Sequence, residues 1–221
     1  MHIIAGRHDK TARLETPLIR HTYRMMQRNI IDRGDGESTL SHSDEVRKLL
    51  FSERNKIYEH FLRLDLEDRR RRFFGAISDE SIQEYCGAIS MVRGVTLGCF
   101  VDGVLRGVGE LRRHGTWWNG QAEVAITVER DFQGRGIGTE LLRRLLEIAT
   151  NRLIKTVNLF CEVDNVPMQK VARKLGAHLH AIDGTIEADI EQPWPSTWSM
   201  LREVLADGSA AYHAYWGVHA A

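Results

Sequence analysis

Gln133-Gly134-Arg135-Gly136-Ile137-Gly138 places three glycines in six residues, between an apolar run, Val124 to Val128, and an apolar-periodic segment, Leu141 to Ala149. Glycine has no side chain to obstruct a tight turn or the approach of a ligand, so a loop of this composition can aim backbone N–H groups at one point. Opening a helix, it adds the unpaired donors and partial positive charge of a helix N-terminus, which suit a phosphate or pyrophosphate. The spacing narrows the choice. A P-loop reads Gly-x-x-x-x-Gly-Lys-Ser/Thr, and no lysine follows these glycines. A dinucleotide fingerprint reads Gly-x-Gly-x-x-Gly with a carboxylate about 20 residues on, and neither part is present.

The flanking segments supply the frame for this loop. Downstream, Ile137, Leu141, Leu145 and Ile148 form one helical stripe, and Val157, Leu159, Cys161 and Val163 alternate as a strand. A strand, a helix and a second strand in this order imply a parallel pair. Asp164 or Asn165 caps the next helix, Pro167 suits its first turn, Met168, Val171, Ala172 and Leu175 form its stripe, and Gly176 ends it. Asp102-Gly103, between Val95–Val101 and Val104–Leu111, and Asp183-Gly184, between Leu179–Ile182 and Thr185–Ile190, are two-residue hairpin signals. Nearer the N-terminus, helical periodicity is read from Ser43 or Asp44 through Leu49, Leu50, Ile57, Phe61 and Leu64. A second helix follows the N-cap signal at Ser78, and Ser196 caps a terminal helix through Leu205. Residues 1–42 are polar, hold the turn-rich break Arg33 to Ser38, and read as an N-terminal extension with at most a short helix through Leu18, Tyr23, Met26 and Ile30.

Composition excludes several functions. With 30 Lys+Arg against 30 Asp+Glu in 221 residues, no global field recruits nucleic acid or an anionic membrane. No stretch approaches the roughly 18 apolar residues of a membrane span. Cys86, Cys99 and Cys161 are widely spaced and odd in number, which fits reduced thiols of a cytoplasmic protein rather than a disulfide framework. The ten histidines are scattered without a His-x-x-x-His or Cys/His cluster, so no metal is expected.

The pattern Gln133-x-x-Gly136-x-Gly138 resembles the pyrophosphate loop of the GNAT acetyltransferase superfamily. The likeness runs from Ala122-Glu123-Val124-Ala125 through the glycines to Asp164-Asn165 and Lys174-Leu175-Gly176. In detail it is most similar to the catalytic domain of bacterial protein-lysine acetyltransferases. The resemblance implies an α/β fold, a mixed twisted sheet with a parallel central strand pair flanked by helices, over residues 43–221. It implies acetyl-CoA as cosubstrate, with the backbone of Ile126, Thr127 and Val128 along pantetheine. The residues Gln133, Gly134, Arg135, Gly136, Ile137, Gly138 and Thr139 would wrap the pyrophosphate, and Asn165 would stand beside them, though an equally good reading of Asn165 is a helix cap.

An amine of the lysine type has a pKa of about 10.4, so transfer to it needs a base. Glu123 occupies the family's glutamate position and is the expected base, with Glu110 on the preceding strand in reserve and an outward-facing surface carboxylate as the plain alternative for Glu123. Strand alternation puts Glu123, Ala125 and Thr127 on one face unless a bulge intervenes. A backbone N–H near Ile126 to Val128 would meet the developing oxyanion. The chain departs from the family at Ala172, where many members carry the tyrosine that protonates the departing thiolate. The implied activity is direct acetyl transfer to a primary amine, protein lysine being favoured; a small-molecule amine and a non-catalytic acyl-CoA sensor are the alternatives. Arg69 to Arg72 is expected to be mostly solvated, Cys161 to be a core thiol, and Trp117 and Trp118 to line the acceptor pocket or form a homodimer contact.

Overall fold

The computed structural model describes residues 44–89, 94–114, 120–197, 199–200 and 203. The N-terminal extension, Trp117 and Trp118, and most of the expected terminal helix lie outside these residues. Ser196 nevertheless accepts the Ser199 N–H through its hydroxyl at 3.1 Å, as an N-cap does.

Among the described residues, seven strands form one sheet in the order β1-β2-β3-β4-β5-β7-β6. They are β1 (Glu45–Lys48), β2 (Gly94–Val101), β3 (Val104–His114), β4 (Gln121–Val128), β5 (Thr156–Glu162), β6 (His178–Ile182) and β7 (Thr185–Glu191). Only β4 and β5 run parallel; the other neighbours are antiparallel. Both hairpin signals are realised, with φ of 50° and 75° at Asp102 and Gly103 and of 46° and 80° at Asp183 and Gly184.

Helices α1 (Arg54–Arg63), α2 (Leu66–Phe73) and α3 (Asp79–Ala88) cover one face of the sheet, where Ile57, Phe61 and Ile82 pack on Phe100, Leu105 and Val108. Helices α4 (Ile137–Asn151) and α5 (Val166–Lys174) belong to the other core, with Leu141, Leu142, Leu145 and Ala172 packed on Leu111, Val124 and Val157. Each large aliphatic side chain buried this way contributes about 1.5–3 kcal/mol. Gly107 and Gly109 on β3 let α4 press close: a Cβ at Gly107 would meet Ile137 Cγ2 at 2.9 Å. That approach seats the start of α4 against the sheet, just beyond the end of β4.

Two expectations need correction. Helical periodicity from residue 43 or 44 is not followed by the chain, because Glu45–Lys48 instead extends the sheet, pairing with Leu97 to Phe100. A four-residue segment is too short for periodicity to separate strand from helix, and an open sheet edge decides. The helix then begins only after a 3-10 turn at Phe51–Glu53, and is broken at Leu64 before Asp65 caps α2. The arginine run is also not mostly solvated. Arg69 pairs with Asp79, Arg70 with Glu67 and Glu162, Arg71 with Glu67, and Arg72 with Glu110.

Candidate functional site

Strands β4 and β5 pair from Gln121–Thr156 to Val124–Leu159 and then part. Beyond that point Ala125 to Val128 have no partner on the β5 side, and the two strand ends form the walls of a gap. A cavity of about 630 Å³ fills it, lined along β4 from Glu123 to Val128, along β5 by Leu159, Phe160 and Cys161, and at one end by Gln133, Gly134, Gly136, Ile137, Gly138 and Thr139. Cys161 is buried and its thiol is pushed up by burial, as a core thiol should be.

The register between β3 and β4 is unbroken from Gly107–Val128 to His114–Gln121, so no bulge displaces β4. Glu129 donates its N–H to the Arg106 carbonyl at 3.0 Å. By alternation the N–H of Thr127 also turns toward β3, while those of Ile126 and Val128 turn into the gap. The main-chain donors facing the cavity are therefore those of Ile126 and Val128, and Thr127 presents its side chain on the α1 face with Ala125 and Glu123.

The glycine loop builds the far end. Gly134 and Gly136 have φ of 74° and 87°, a region side chains disfavour. Gly136 is the N-cap of α4 and no side chain caps the helix, so its first N–H groups open on the cavity. Gln133 is fixed by donating from Nε2 to the Val128 carbonyl (3.0 Å) and to Asp68 (3.1 Å), and Arg135 donates to the Asp131 carbonyl (2.7 Å). Arg135 is absent from the lining; Arg71, Lys170 and Lys174 are part of it. Asn165 is both wall and cap: its Oδ1 accepts the Met168 N–H at 3.2 Å. Ala172 is fully buried in the core and presents nothing to the gap.

The two candidate carboxylates differ sharply. Glu123 is 38% exposed at the cavity wall and takes a 2.8 Å contact from His114 Nε2. Glu110, on the same sheet face, is buried outside the lining and accepts from Arg72 (2.6 Å), Arg112 (2.7 Å) and the Tyr85 hydroxyl (2.9 Å). Burial raises its carboxyl, but the two arginines outweigh that and hold it below the usual carboxylate range.

A further cluster was not foreseen from the sequence. His60 on α1 is fully buried; its Nδ1 meets Glu129 Oε1 at 3.2 Å and its Nε2 meets Thr127 Oγ1 at 2.9 Å. Arg63 (2.9 Å) and Arg106 (2.7 Å) also donate to Glu129. Burial pushes the Glu129 carboxyl up, yet the three donors prevail and it is lowered to about 2. Burial moves His60 the opposite way, below the usual histidine range, despite the pull of Glu129. The one signal in the sequence was a histidine within the apolar stripe of Ile57, Phe61 and Leu64.

Among the described residues, Glu67, Glu162 and Asp164 are grouped closely enough to hold a cation, with oxygens within 4.8 Å, but Arg70 and Arg71 already pair with them. No described helix is long and apolar enough to cross a membrane.

Residues 51–177 match the family model described as "Acetyltransferase (GNAT) family". The chain belongs to the GNAT acetyltransferase family. It is 31% identical over 108 residues to an acetyltransferase of Pseudomonas aeruginosa, covering 47% of this chain and 58% of that protein. It is 37% identical over 73 residues to the acetyltransferase Pat of Mycolicibacterium smegmatis, covering 33% of this chain and 22% of Pat. The GNAT domain of S. lividans PAT shares its fold, with a TM-score of 0.60 at 22% identity over 67% of this chain and 90% of that one. So does spermidine N-acetyltransferase from Vibrio cholerae, solved with CoA and spermine, with a TM-score of 0.55 at 18% identity over 69% and 97%. The mixed sheet with its parallel β4–β5 pair is thus the GNAT fold expected from the glycine loop.

Proposed function

We propose that this chain is an acetyl-CoA-dependent N-acetyltransferase of the cytoplasm, its domain spanning residues 43–221, which moves an acetyl group directly to a primary amine, protein lysine being the favoured acceptor. The observation that carries this reading is the parted β4–β5 pair opening at one end onto the uncapped start of α4. An elongated thioester fits that shape. Its amide-bearing arm would pair with the N–H groups of Ile126 and Val128, its pyrophosphate would take the donors from Gly134 to Thr139, and Arg71, Lys170 and Lys174 supply positive charge to the walls. Asn165, with its oxygen engaged as a cap, has its amide nitrogen to offer the same ligand. The resemblance of Ala122 to Gly138 to the catalytic domain of bacterial protein-lysine acetyltransferases favours lysine as acceptor.

In this arrangement Glu123 accepts the proton that makes the incoming amine nucleophilic, directly or through one water. His114 orients it. The N–H of Ile126 or Val128 receives the charge that develops on the carbonyl oxygen. Glu110 is committed to Arg72, Arg112 and Tyr85, and its role is to hold α2 and α3 against the sheet.

The test is titration calorimetry with acetyl-CoA, followed by release of free thiol in the presence of a lysine peptide, on wild type and Glu123→Gln. Binding equal in both proteins with turnover reduced about 10²-fold or more in the variant is the expected result. Two other readings have an observation each. Spermidine N-acetyltransferase shares the fold, which favours a small-molecule amine; turnover of spermidine but not of peptide would select it. Ala172, buried where many members carry a tyrosine, favours a sensor that binds without turnover; tight binding with no thiol released by any amine would select that.

A further inference from the structure

The acetyltransferase reading leaves one proton unassigned. Glu123 frees the amine of its first proton, but forming the amide releases a second from nitrogen, and the departing sulfur needs one. Ala172 cannot supply it.

Thr127 stands on the cavity wall between the two N–H groups that face the gap, and its hydroxyl touches His60. The hydrogen bonding of this cluster fixes its polarity. Glu129 is ionised, so it only accepts, and His60 must carry its proton on Nδ1. His60 Nε2 is then bare, and the Thr127 hydroxyl donates to it at 2.9 Å. The lone pairs of Oγ1 remain for a donor in the cavity. Three groups charge the surroundings of His60: Glu129 directly, Arg63 beside it, and Arg106 through Glu129. Glu123 lies four residues away along β4, about 13 Å, so it takes the first proton as the amine enters, before the nitrogen reaches the carbonyl carbon beside Thr127.

We propose that Thr127 and His60 form a proton relay that carries the second amine proton to the departing sulfur. Thr127 is the catalytic hydroxyl; His60, held by Glu129, is the positioning residue that stores the proton. As the nitrogen–carbon bond forms, the nitrogen gives its proton to Thr127 Oγ1 while the hydroxyl proton passes to His60 Nε2. As the carbon–sulfur bond breaks, His60 returns that proton to Thr127, which passes its own to the thiolate. The products are the amide and the free thiol, and His60 ends neutral as it began. Burial keeps His60 unprotonated at rest, and the charge of Glu129 at Nδ1 offsets part of the cost when Nε2 takes the proton. The relay rests on the acetyltransferase reading but not on the identity of the amine.

The experiment compares wild type, Thr127→Val and Thr127→Ser, with acetyl-CoA and two acceptor probes, a synthetic lysine peptide and spermidine. Thr127→Val is nearly isosteric and removes only the hydroxyl. The expected result is a fall in kcat of about 10²-fold with acetyl-CoA binding by calorimetry unchanged, and recovery to within about threefold of wild type in Thr127→Ser. A merely structural hydroxyl would not give that split between kcat and binding. If Thr127→Val turns over within threefold of wild type, or if Thr127→Ser is as slow as Thr127→Val, the relay is wrong while the acetyltransferase reading stands. If wild type binds acetyl-CoA and releases no thiol with either probe or with a panel of further primary amines, the acetyltransferase reading fails and the relay with it. Should Thr127→Val not fold, Thr127→Ala carries the same comparison.

Discussion

At the glycine end of the cavity the groups that face inward are main-chain N–H donors, supplied within one short stretch from Gly134 to Thr139 and by the strand just before it. On the wall facing α2 they are side chains drawn from separate elements: Glu123 and Thr127 from β4 and Arg72 from α2, with His60 of α1 behind Thr127. Backbone donors need only the right dihedrals, and glycine makes those accessible. Side-chain groups need partners that hold them, and here each is held by others: Thr127 by His60, His60 by Glu129, Glu123 by His114. The first end is fit to bind any ligand of the same phosphate-bearing shape. The side-chain wall is where one reaction is distinguished from another.

A carboxylate placed among the main-chain donors should break binding while sparing the fold, the largest effect expected. Gly138 is the position of choice, because a Cβ there meets nothing nearer than Val128 Cγ2 at 3.9 Å and the site lies in the first turn of α4. Gly136 would confound the result, its φ of 87° straining any substituent. Gly138→Asp should weaken acetyl-CoA binding about 10³-fold by like-charge repulsion. Its melting temperature should hold or rise slightly, since an acidic residue suits the start of a helix. Calorimetry and a thermal melt read the two quantities separately. Retained affinity would mean that the pyrophosphate does not sit on α4.

The contrast between the two carboxylates of the sheet face gives the next effect. Glu110→Gln removes the buried charge that pairs Arg72, a side chain only 11% exposed, and the uncompensated guanidinium should cost about 3 kcal/mol of stability. For a domain of this size that lowers the melting temperature by roughly 6–12 °C. Turnover of the folded protein should stay within about fivefold of wild type, because Glu110 lies outside the cavity lining. A variant that melts normally but does not turn over would exchange the roles of Glu110 and Glu123.

These differences in construction also explain what could be read before the structure. The glycine loop, both hairpins and the β4–α4–β5 unit are local patterns, and local patterns survive in a linear sequence. Glu123 shares that advantage, standing on the strand just before the loop. His60 and Glu129 are 69 positions apart and meet only because α1 packs on β3 next to the end of β4, so neither stands out alone. Glu110 illustrates the same limit from the other side: its place on the strand before Glu123 was legible, but its partners Arg72 and Tyr85 come from α2 and α3. The arginine run was misjudged because its acidic partners are spread from Glu67 to Glu162.

Asn165 lies where the two modes of construction meet, and the smallest effect expected here separates them. Its side-chain oxygen caps α5 by accepting the Met168 N–H, while its position on the cavity wall leaves the amide nitrogen to a ligand. Asn165→Ala should lose the cap and about 1 kcal/mol of stability. Asn165→Ser keeps an oxygen able to cap but removes the amide donor, so its melting temperature should match wild type. If the nitrogen contacts the cofactor, both variants bind acetyl-CoA more weakly by the same amount, about fivefold to tenfold for one hydrogen bond. If the residue is a cap alone, Asn165→Ser binds as wild type does, and the wall of the cavity at α5 contributes shape without a polar contact.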